Sequence, residues 1–237
     1  MNNIFHFKEF QVNQSDCAMK VNTDGVLLAA LAQSENPEKI LDIGTGTGLI
    51  ALMLAQRFVN ATINAVEIDE NASKRAEKNL SESPFSNRLK SFHSSIEEFF
   101  IKDNELYDLI ISNPPFFINS LKSENSIKEI ARHTTKGFFE NLLIQSASKL
   151  TENGCIFLIL PMETSNLIEK LIQSIPNLHI NGIKMVYSFA DSIAHRRIFK
   201  IGLNSTEPNH DKFVIYETPG IYTAEYQNLL KDFLTIF

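Results

Sequence analysis

Short apolar runs alternate with amphipathic stretches along most of the chain. The segments that predict strands are Lys39–Ile43, Thr62–Ile68, Leu89–His93, Tyr107–Ser112, Cys155–Leu160, Ile180–Ser188, Arg197–Leu203 and Phe213–Tyr216. Apolar residues recur at helical spacing in the stretches 49–58, 69–80, 138–150, 163–175 and 226–234. This alternation predicts an α/β fold, in which a mostly parallel sheet has helices on both faces. The last three strands follow one another without long helices, which predicts antiparallel strands at one edge.

The first 36 residues do not follow the alternation. Within them, Thr23 is predicted to cap a helix whose apolar positions include Val26, Leu27 and Leu31. The chain shows no internal repeat and no low-complexity tract. We therefore predict one domain over residues 1–237, with an N-terminal extension at 1–36 and an α/β core at 37–237.

Composition and charge restrict the class of protein. Hydrophobic residues make up 43% and charged residues 21% of the chain, which is typical of a globular protein and excludes a disordered or fibrous one. Apolar runs such as Ile156–Leu160 are far shorter than the roughly 20 residues of a membrane span. The N-terminus lacks the apolar run of a secretory signal, so a cytoplasmic protein is expected. The net charge of −6 means that any nucleic acid must bind at a local basic patch.

The first loop after a predicted strand contains Gly44, Gly46 and Gly48, and Asp42 precedes them. Glycines allow a sharp turn from strand to helix and a close approach of a ligand to the backbone. Glu67 ends the next strand, where a carboxylate accepts hydrogen bonds from both ribose hydroxyls of an adenosine. The pattern fits two cofactors. One is a nicotinamide dinucleotide, and the other is S-adenosylmethionine, whose cationic end suits Asp42.

The most specific motif is Asn113-Pro114-Pro115-Phe116, which follows the strand Tyr107–Ser112. Two prolines make the loop rigid and leave its carbonyl groups unpaired, so the Asn113 side-chain oxygen and the Pro114 carbonyl can converge on one small donor. Phe116 offers a flat face to a planar substrate. This arrangement suits methyl transfer to an adenine amino group or an amide nitrogen. Two acceptors orient such a nitrogen and stabilise the positive charge that develops on it.

With these motifs in the same order and at the same spacing, the chain resembles the Rossmann-like (class I) methyltransferases that use S-adenosylmethionine and act on amino groups. The opening segments 5–10 and 16–28 and the closing segment 222–226 extend the resemblance to nearly the whole chain. There they are similar to bacterial enzymes that methylate N6 of the adenine at position 37 of tRNA1(Val), beside the anticodon. The resemblance therefore implies a tRNA methyltransferase with S-adenosylmethionine as its cofactor.

The resemblance also assigns roles by position. Asn113, Pro114, Pro115 and Phe116 would hold the amino group. The cofactor would be bound by Asp42, Gly44, Gly46, Gly48 and Glu67, with Thr23 and Asp24 of the extension near its methionine end. Many relatives have an acidic residue after the third strand to hold the cofactor's adenine amino group. Ser95 stands at that place and offers a weaker acceptor.

Two basic clusters are candidates for RNA contact. Lys122, Lys128, Arg132 and Lys136 lie in a long stretch after Phe116 whose lack of apolar periodicity predicts a mobile lid. Arg196 and Arg197 form the second cluster. An anticodon-loop base is already partly unstacked, so drawing it into a pocket costs less than in a duplex. The histidines have no metal-ligand or triad spacing, and we expect a monomer without a metal.

Other functions remain compatible with parts of the pattern. The same tetrapeptide would serve an enzyme that methylates another nucleic-acid adenine or a protein glutamine amide. A nicotinamide-dependent oxidoreductase would explain the glycine loop but has no use for residues 113–116. A non-catalytic RNA- or cofactor-binding protein would retain the fold alone.

Overall fold

The computed structural model describes residues 3–15, 20–115 and 125–237, with side chains from Thr135 onward in the last range. Its strands are β1 (Ile4–His6), β2 (Gln11–Asn13), β3 (Lys39–Ile43), β4 (Thr62–Glu67), β5 (Leu89–His93), β6 (Tyr107–Ser112), β7 (Leu150–Pro161), β8 (His179–Tyr187), β9 (Arg196–Gly202), β10 (Asn209–Val214), β11 (Tyr216–Thr218) and β12 (Ile221–Tyr222). Its helices are α1 (Thr23–Leu31), α2 (Leu49–Arg57), α3 (Glu70–Ser81), α4 (Ile96–Lys102), α5 (Asn125–Ser148), α6 (Met162–Ser174) and α7 (Ala224–Leu230). The sequence pattern predicted neither α4 nor the hairpin β1–β2.

The main sheet has eight strands in the order β10-β8-β9-β7-β6-β3-β4-β5. The five strands from β5 to β7 are parallel, whereas β9 runs antiparallel to both β7 and β8. The edge strand β10 pairs parallel with β8. This topology confirms the predicted α/β fold, and the antiparallel pairings lie in the half of the sheet formed late in the chain, where they were expected.

Each face of the sheet has its own apolar core. On one face, Leu109 and Ile111 of β6 pack in a cluster with residues of α1, α2 and α7. On the other face, Ile110 of β6 packs with residues of α5 and α6. Successive strand residues point to opposite faces, so a strand covered on both sides is apolar at every position. This explains the uninterrupted apolar runs in the sequence.

The N-terminal extension packs against both the core and the chain end. Lys8 N–H donates to the Phe233 carbonyl over 2.8 Å, and Phe7 forms a bridge with Leu234. The helix in this extension is capped by Asn22, whose Oδ1 accepts from Gly25 N–H at 2.9 Å. The prediction of Thr23 as the cap is therefore wrong by one residue. Asn22 has the extended backbone that a cap requires, and Thr23 is the first helical residue.

Helix α5 begins at Asn125, so the prediction of an irregular lid that continues to Phe138 is wrong from Asn125 onward. Its 24 residues span about 36 Å, whereas the six residues of β6 span about 20 Å. The helix leads back to β7 at the amino edge of the sheet and is longer than the strand β6 that precedes it. Ile127, Ile130 and Ala131 recur at helical spacing in the first turns of this helix, but the polar run 132–137, which ends in a glycine, separates them from the apolar positions that begin at Phe138.

The turn from β3 into α2 depends on a glycine at its end. Gly48 has a φ of +84°, and a Cβ atom there would lie 3.1 Å from Leu80 Cδ2 of α3. An L-residue in the left-handed region is strained, and here it would also be crowded.

We therefore expect Gly48→Ala to lower the free energy of unfolding by about 1–2 kcal/mol. The matched control is Gly137→Ala, because Gly137 lies inside α5 and a Cβ atom added there would meet no other atom within 4 Å. Since alanine favours helix, the control should raise that free energy by about 0.5–1 kcal/mol. Urea unfolding of both variants measures the two changes. Equal effects of the two substitutions would contradict the assigned backbone strain.

Candidate functional site

The ends of neighbouring strands bring the predicted site residues to one edge of the sheet. Ile43 of β3 pairs with Val66 of β4 on one side and with Ser112 of β6 on the other. Glu67, which follows Val66, pairs with His93 at the end of β5. Asp42, the glycine loop, Glu67 and Asn113 therefore share the carboxyl edge of the parallel strands, which is where ligands bind in such sheets.

The glycine loop forms an open turn above β3. Gly44 and Gly46 have φ angles of +69° and +60°, and a Cβ at either position would meet no atom within 4 Å. The N–H groups of Gly44 and Thr45 donate to the Val66 carbonyl at 2.8 and 3.1 Å, which fixes the loop to β4. The space beside the two glycines is accessible to a ligand that approaches the backbone closely.

Asp42 is completely buried and holds both ends of the loop. Its Oδ2 accepts from Thr45 Oγ1 at 2.5 Å and from the first turn of α2 through Ala51 N–H at 3.2 Å. Its Oδ1 is buried and has no hydrogen-bond partner among the described residues. Burial raises the pKa of this carboxyl to about 7, although the two hydrogen bonds act in the opposite direction. A carboxylate with one unused oxygen, next to an open loop, suits a cationic ligand group.

Glu67 uses its carboxylate to shape the same loop. Its Oε2 accepts from Gly46 N–H at 2.8 Å and its Oε1 from Asp69 N–H at 2.9 Å. A carboxylate accepts about four hydrogen bonds, so capacity remains for two hydroxyl donors. Ile68, which follows it, is 69% exposed and offers an apolar surface at the edge of the site. Ile68 is not among the residues predicted for the site, although an apolar residue directly after an acidic strand end was a usable signal.

The Asn113 side chain lies almost fully buried at the start of its rigid loop. Its Oδ1 has no hydrogen-bond partner in the described part of the chain. Ser112 Oγ donates to the Ile43 carbonyl at 2.8 Å, which fixes this strand end to β3. Pro114 is buried and Pro115 is exposed, whereas Phe116 lies outside the described residues. A buried acceptor without a donor is costly, so it indicates a site that a donor group occupies during function.

Ser95 caps helix α4, since its Oγ accepts from Glu98 N–H at 3.2 Å. Its hydroxyl retains a donor and a second lone pair. Thr23 and Asp24 form the first turn of α1, and Asp24 Oδ2 accepts from Arg196 Nε at 2.7 Å. Asp24, which the resemblance assigned to the cofactor, is thus paired with Arg196, which was predicted to contact RNA.

The structure describes the second predicted RNA cluster fully and the first only in part. Arg196 and Arg197 are adjacent on β9 and so point to opposite faces of the sheet, which divides the second cluster. Arg197 pairs with Glu169 of α6 at 3.1 Å. In the first cluster, Lys136 is exposed on α5. Lys122 lies outside the described residues, and for Lys128 and Arg132 only the helical backbone is described.

One residue that the sequence analysis missed joins the extension to the loop. Asn79 of α3 is buried, and its Nδ2 donates to the Thr47 carbonyl at 2.8 Å and to the Asn13 carbonyl at 2.9 Å. Its Oδ1 accepts from Asn13 N–H at 3.1 Å. The available signal was a polar residue next to Leu80 and three residues after Ala76, on the apolar face of the helix.

Neither a metal centre nor a membrane-spanning helix occurs in the part of the chain that the structure describes. That part contains no group of three or more His, Cys, Asp or Glu side chains arranged to hold a metal ion. None of its helices combines the length and the apolar character needed to cross a bilayer.

The fold and the site together define a methyltransferase-type α/β protein. A family model for the methyltransferase small domain matches residues 17–182. Among solved structures, one described as a predicted O-methyltransferase from Agrobacterium tumefaciens superposes with a TM-score of 0.66 at 18% identity, covering 89% of this chain and 96% of the other. TrmN from Thermus thermophilus superposes with a TM-score of 0.51 at 18% identity, over 75% of this chain and 46% of that one. These likenesses concern the fold.

Proteins similar in sequence show to which group of methyltransferases the chain belongs. A tRNA1(Val) (adenine(37)-N6)-methyltransferase of Pedobacter heparinus is 44% identical over 100% of both chains. Proteins of the same name from Christiangramia forsetii and Haemophilus influenzae are 40% and 37% identical, over 98% of this chain and 98% and 99% of theirs. The chain belongs to the methyltransferase small-domain family and, within it, to the group of the tRNA1(Val) (adenine(37)-N6)-methyltransferases. This confirms the resemblance found from the motifs.

The raised pKa of Asp42 predicts a pH dependence of stability. A carboxyl whose pKa is higher in the folded than in the unfolded state binds more protons when folded, so its stabilisation is complete below about pH 4 and is lost as the pH rises through about 7. We expect Asp42→Asn to gain stability relative to the wild type as the pH increases over this interval. Urea unfolding of both proteins without ligand at pH 5, 6, 7 and 8 measures the difference. A difference that does not vary with pH would contradict the assigned protonation.

Proposed function

We propose that the protein transfers a methyl group from S-adenosylmethionine to N6 of the adenine at position 37 of tRNA1(Val). The observation that carries the proposal is the buried Asn113 Oδ1, which lacks a donor among the described residues, at a rigid strand end beside the glycine loop. The names of the full-length relatives support the substrate.

The residues of the carboxyl edge fit the cofactor. The unpartnered Asp42 Oδ1 suits the cationic methionine end, and the positive φ angles of Gly44 and Gly46 leave room beside the backbone. Glu67 retains lone pairs for the ribose hydroxyls, and the exposed Ile68 offers an apolar surface to the adenine ring. We assign Thr23 and Asp24 to the methionine end and Ser95 to the adenine end. When bound, the cofactor supplies an electrophilic methyl group on a sulfonium.

Asn113 and Pro114 are proposed to bind and orient the adenine amino group that is methylated. The lone pair of this nitrogen is delocalised into the ring, so the group is a poor nucleophile. Acceptance of its N–H bonds by Asn113 Oδ1 and the Pro114 carbonyl orients the nitrogen and stabilises the positive charge that grows on it. The proton is lost after the attack, so no base of matched pKa is required beforehand. We assign Phe116 to stacking against the adenine ring.

The RNA is proposed to contact the face of the sheet that bears α5. Phe139 and Leu142 of α5 share an apolar cluster with Phe199 of β9. Arg197 is in phase with Phe199 and therefore lies on that face. Lys128, Arg132 and Lys136 are spaced by four residues on α5, so their positions share one side of the helix. With Lys122, they would supply a local basic surface on an acidic protein that acts in the cytoplasm as a monomer.

The proposed chemistry predicts the behaviour of Asn113 variants. Because Oδ1 matters most as charge develops on the nitrogen, Asn113→Ala should lower kcat about 100- to 1,000-fold and change KM little. Asn113→Asp keeps an acceptor and should retain more activity than the alanine variant. Single-turnover transfer of labelled methyl from S-adenosylmethionine to tRNA, followed by nucleoside analysis, gives the rates and identifies the product.

Cofactor affinity is the internal control for this experiment. Calorimetry should show unchanged binding of S-adenosylmethionine to Asn113→Ala, since the loop at 113–116 is assigned to the substrate. Methyl transfer by Asn113→Ala at the wild-type rate would refute the mechanism. A product other than N6-methyladenine at position 37 would refute the substrate.

The basic surface predicts a local and salt-sensitive affinity for tRNA. Arg132→Ala and Lys136→Ala should each weaken binding and reduce the slope of log affinity against log salt concentration by about 0.7–0.9, the value for one phosphate contact. The matched control is Lys102→Ala, because Lys102 is an exposed lysine at the end of α4, toward the opposite edge of the sheet. Binding isotherms at four salt concentrations measure the slopes. Equal slopes for all variants and the wild type would place the RNA elsewhere.

A further inference from the structure

The ion pair between Asp24 and Arg196 joins two parts of the chain that are 172 residues apart. Arg196 Nε lies 2.7 Å from Asp24 Oδ2, and the two side chains are only 25% and 14% exposed. Arg196 Nη1 also donates to the His195 carbonyl at 2.8 Å. The guanidinium is therefore fixed on two sides in a partly buried position, unlike a lysine or arginine that awaits a phosphate at the surface.

The pair lies across the strand end that presents the reactive loop. On the Asp24 side, the adjacent Gly25 packs against Leu49, the first residue of α2, because a Cβ at Gly25 would lie 3.3 Å from Leu49 Cδ2. The first turn of α1 thus lies beside the end of the glycine loop. On the other side, Arg196 pairs with Pro161 at the carboxyl end of β7. Strand β6, which leads into Asn113, lies between β3 and β7 in the sheet.

Strand phase places Arg196 away from the proposed RNA surface. Ile198, two residues along β9, belongs to the apolar cluster that contains Val26 and Leu27 of α1. Arg196 therefore points to the α1 face, whereas its neighbour Arg197 points to the α5 face. For Arg196 to bind a phosphate, it would have to leave Asp24, and a partly buried carboxylate would lose its charged partner.

We propose that Arg196 is a positioning residue of the cofactor site and does not bind the RNA. Through its bond to Asp24, it holds the first turn of α1 against the glycine loop and fixes the carboxylate at the methionine end of S-adenosylmethionine. This inference rests on the proposed function for the identity of the cofactor. It changes the role that the sequence pattern predicted for Arg196.

A double-mutant cycle tests the inference by direct binding of S-adenosylmethionine without RNA. Arg196→Gln and Asp24→Asn should each weaken binding about five- to thirtyfold, the loss expected for one charge-assisted positioning contact. The double variant should be no weaker than the weaker single variant, because both substitutions remove the same interaction. Arg196→Lys keeps the charge and should restore most of the affinity.

The matched control is Lys184→Ala, which removes the partly buried ion pair between Lys184 and Asp211 on β8 and β10. It should leave cofactor affinity unchanged. A loss of cofactor affinity in the control equal to that of Arg196→Gln would overturn the inference, since any ion pair of the sheet would then have the same effect. Urea unfolding of each variant verifies that it is folded at the assay temperature.

The salt dependence of tRNA binding supplies a second, independent readout. Arg196→Gln should leave the slope of log affinity against log salt at the wild-type value. Unchanged cofactor affinity together with a slope reduced by about 0.7–0.9 would make Arg196 a phosphate ligand and overturn the inference. Additive losses in the double variant would also overturn it. Failure of the proposed function is distinguishable, because it appears in the wild type as absent cofactor binding or absent methyl transfer to tRNA.

Discussion

The buried carboxylate of Asp42 is the constraint on which the site depends. One oxygen accepts from Thr45 within the glycine loop and from Ala51 in the helix that follows it, so one side chain fixes both ends of the turn. Full burial destabilises the charged form of this carboxyl, and for that reason its pKa is raised. A carboxyl of this kind, with one oxygen unpartnered among the described residues, is expected where a cation completes the site. The open glycines and the position of Glu67 follow from the turn that Asp42 holds.

The N-terminal extension completes this site from outside the main sheet. Asn79 joins the loop carbonyl of Thr47 to the hairpin residue Asn13, and Gly25 allows α1 to pack closely on the start of α2. The same extension is bound to the chain end through Lys8 N–H and the Phe233 carbonyl. The extension therefore contacts the glycine loop and the start of α2, and the C-terminal segment contacts the extension. Substitutions in the hairpin or in the C-terminal segment are expected to act on the proposed cofactor site through packing, whereas Thr23 and Asp24 of the extension are proposed to contact the cofactor.

The helices that frame the proposed cofactor site and those that frame the proposed RNA surface lie on opposite faces of the sheet. Helices α1 and α2, which frame the proposed cofactor site, share one apolar cluster, whereas α5 and α6, which frame the proposed RNA surface, share the other. The alternation of side chains along β9 assigns its two adjacent arginines to different faces, and each has an acidic partner there. The reactive loop leaves β6 at the centre of the sheet, between the two sets of elements. This arrangement allows a cofactor and a large RNA to reach one residue, Asn113, from different sides.

The sequence by itself determined the parallel part of the fold and the loops in which the candidate site residues lie. The strands Lys39–Ile43, Leu89–His93 and Tyr107–Ser112 were predicted with their observed bounds. Lys39–Ile43 and Tyr107–Ser112 lie inside the sheet, where burial on both faces leaves an apolar run that the local pattern reveals. Helix α5 was predicted too short, because the polar run 132–137 interrupts its apolar positions and hides the helical spacing of Ile127, Ile130 and Ala131. Only the tertiary structure decided that Asp24 meets Arg196 and that Asn79 joins the hairpin to the loop. Such polar contacts are made between residues far apart in the chain. Their geometry depends on how the helices pack on the sheet, so it cannot be predicted from the spacing of residues along the chain.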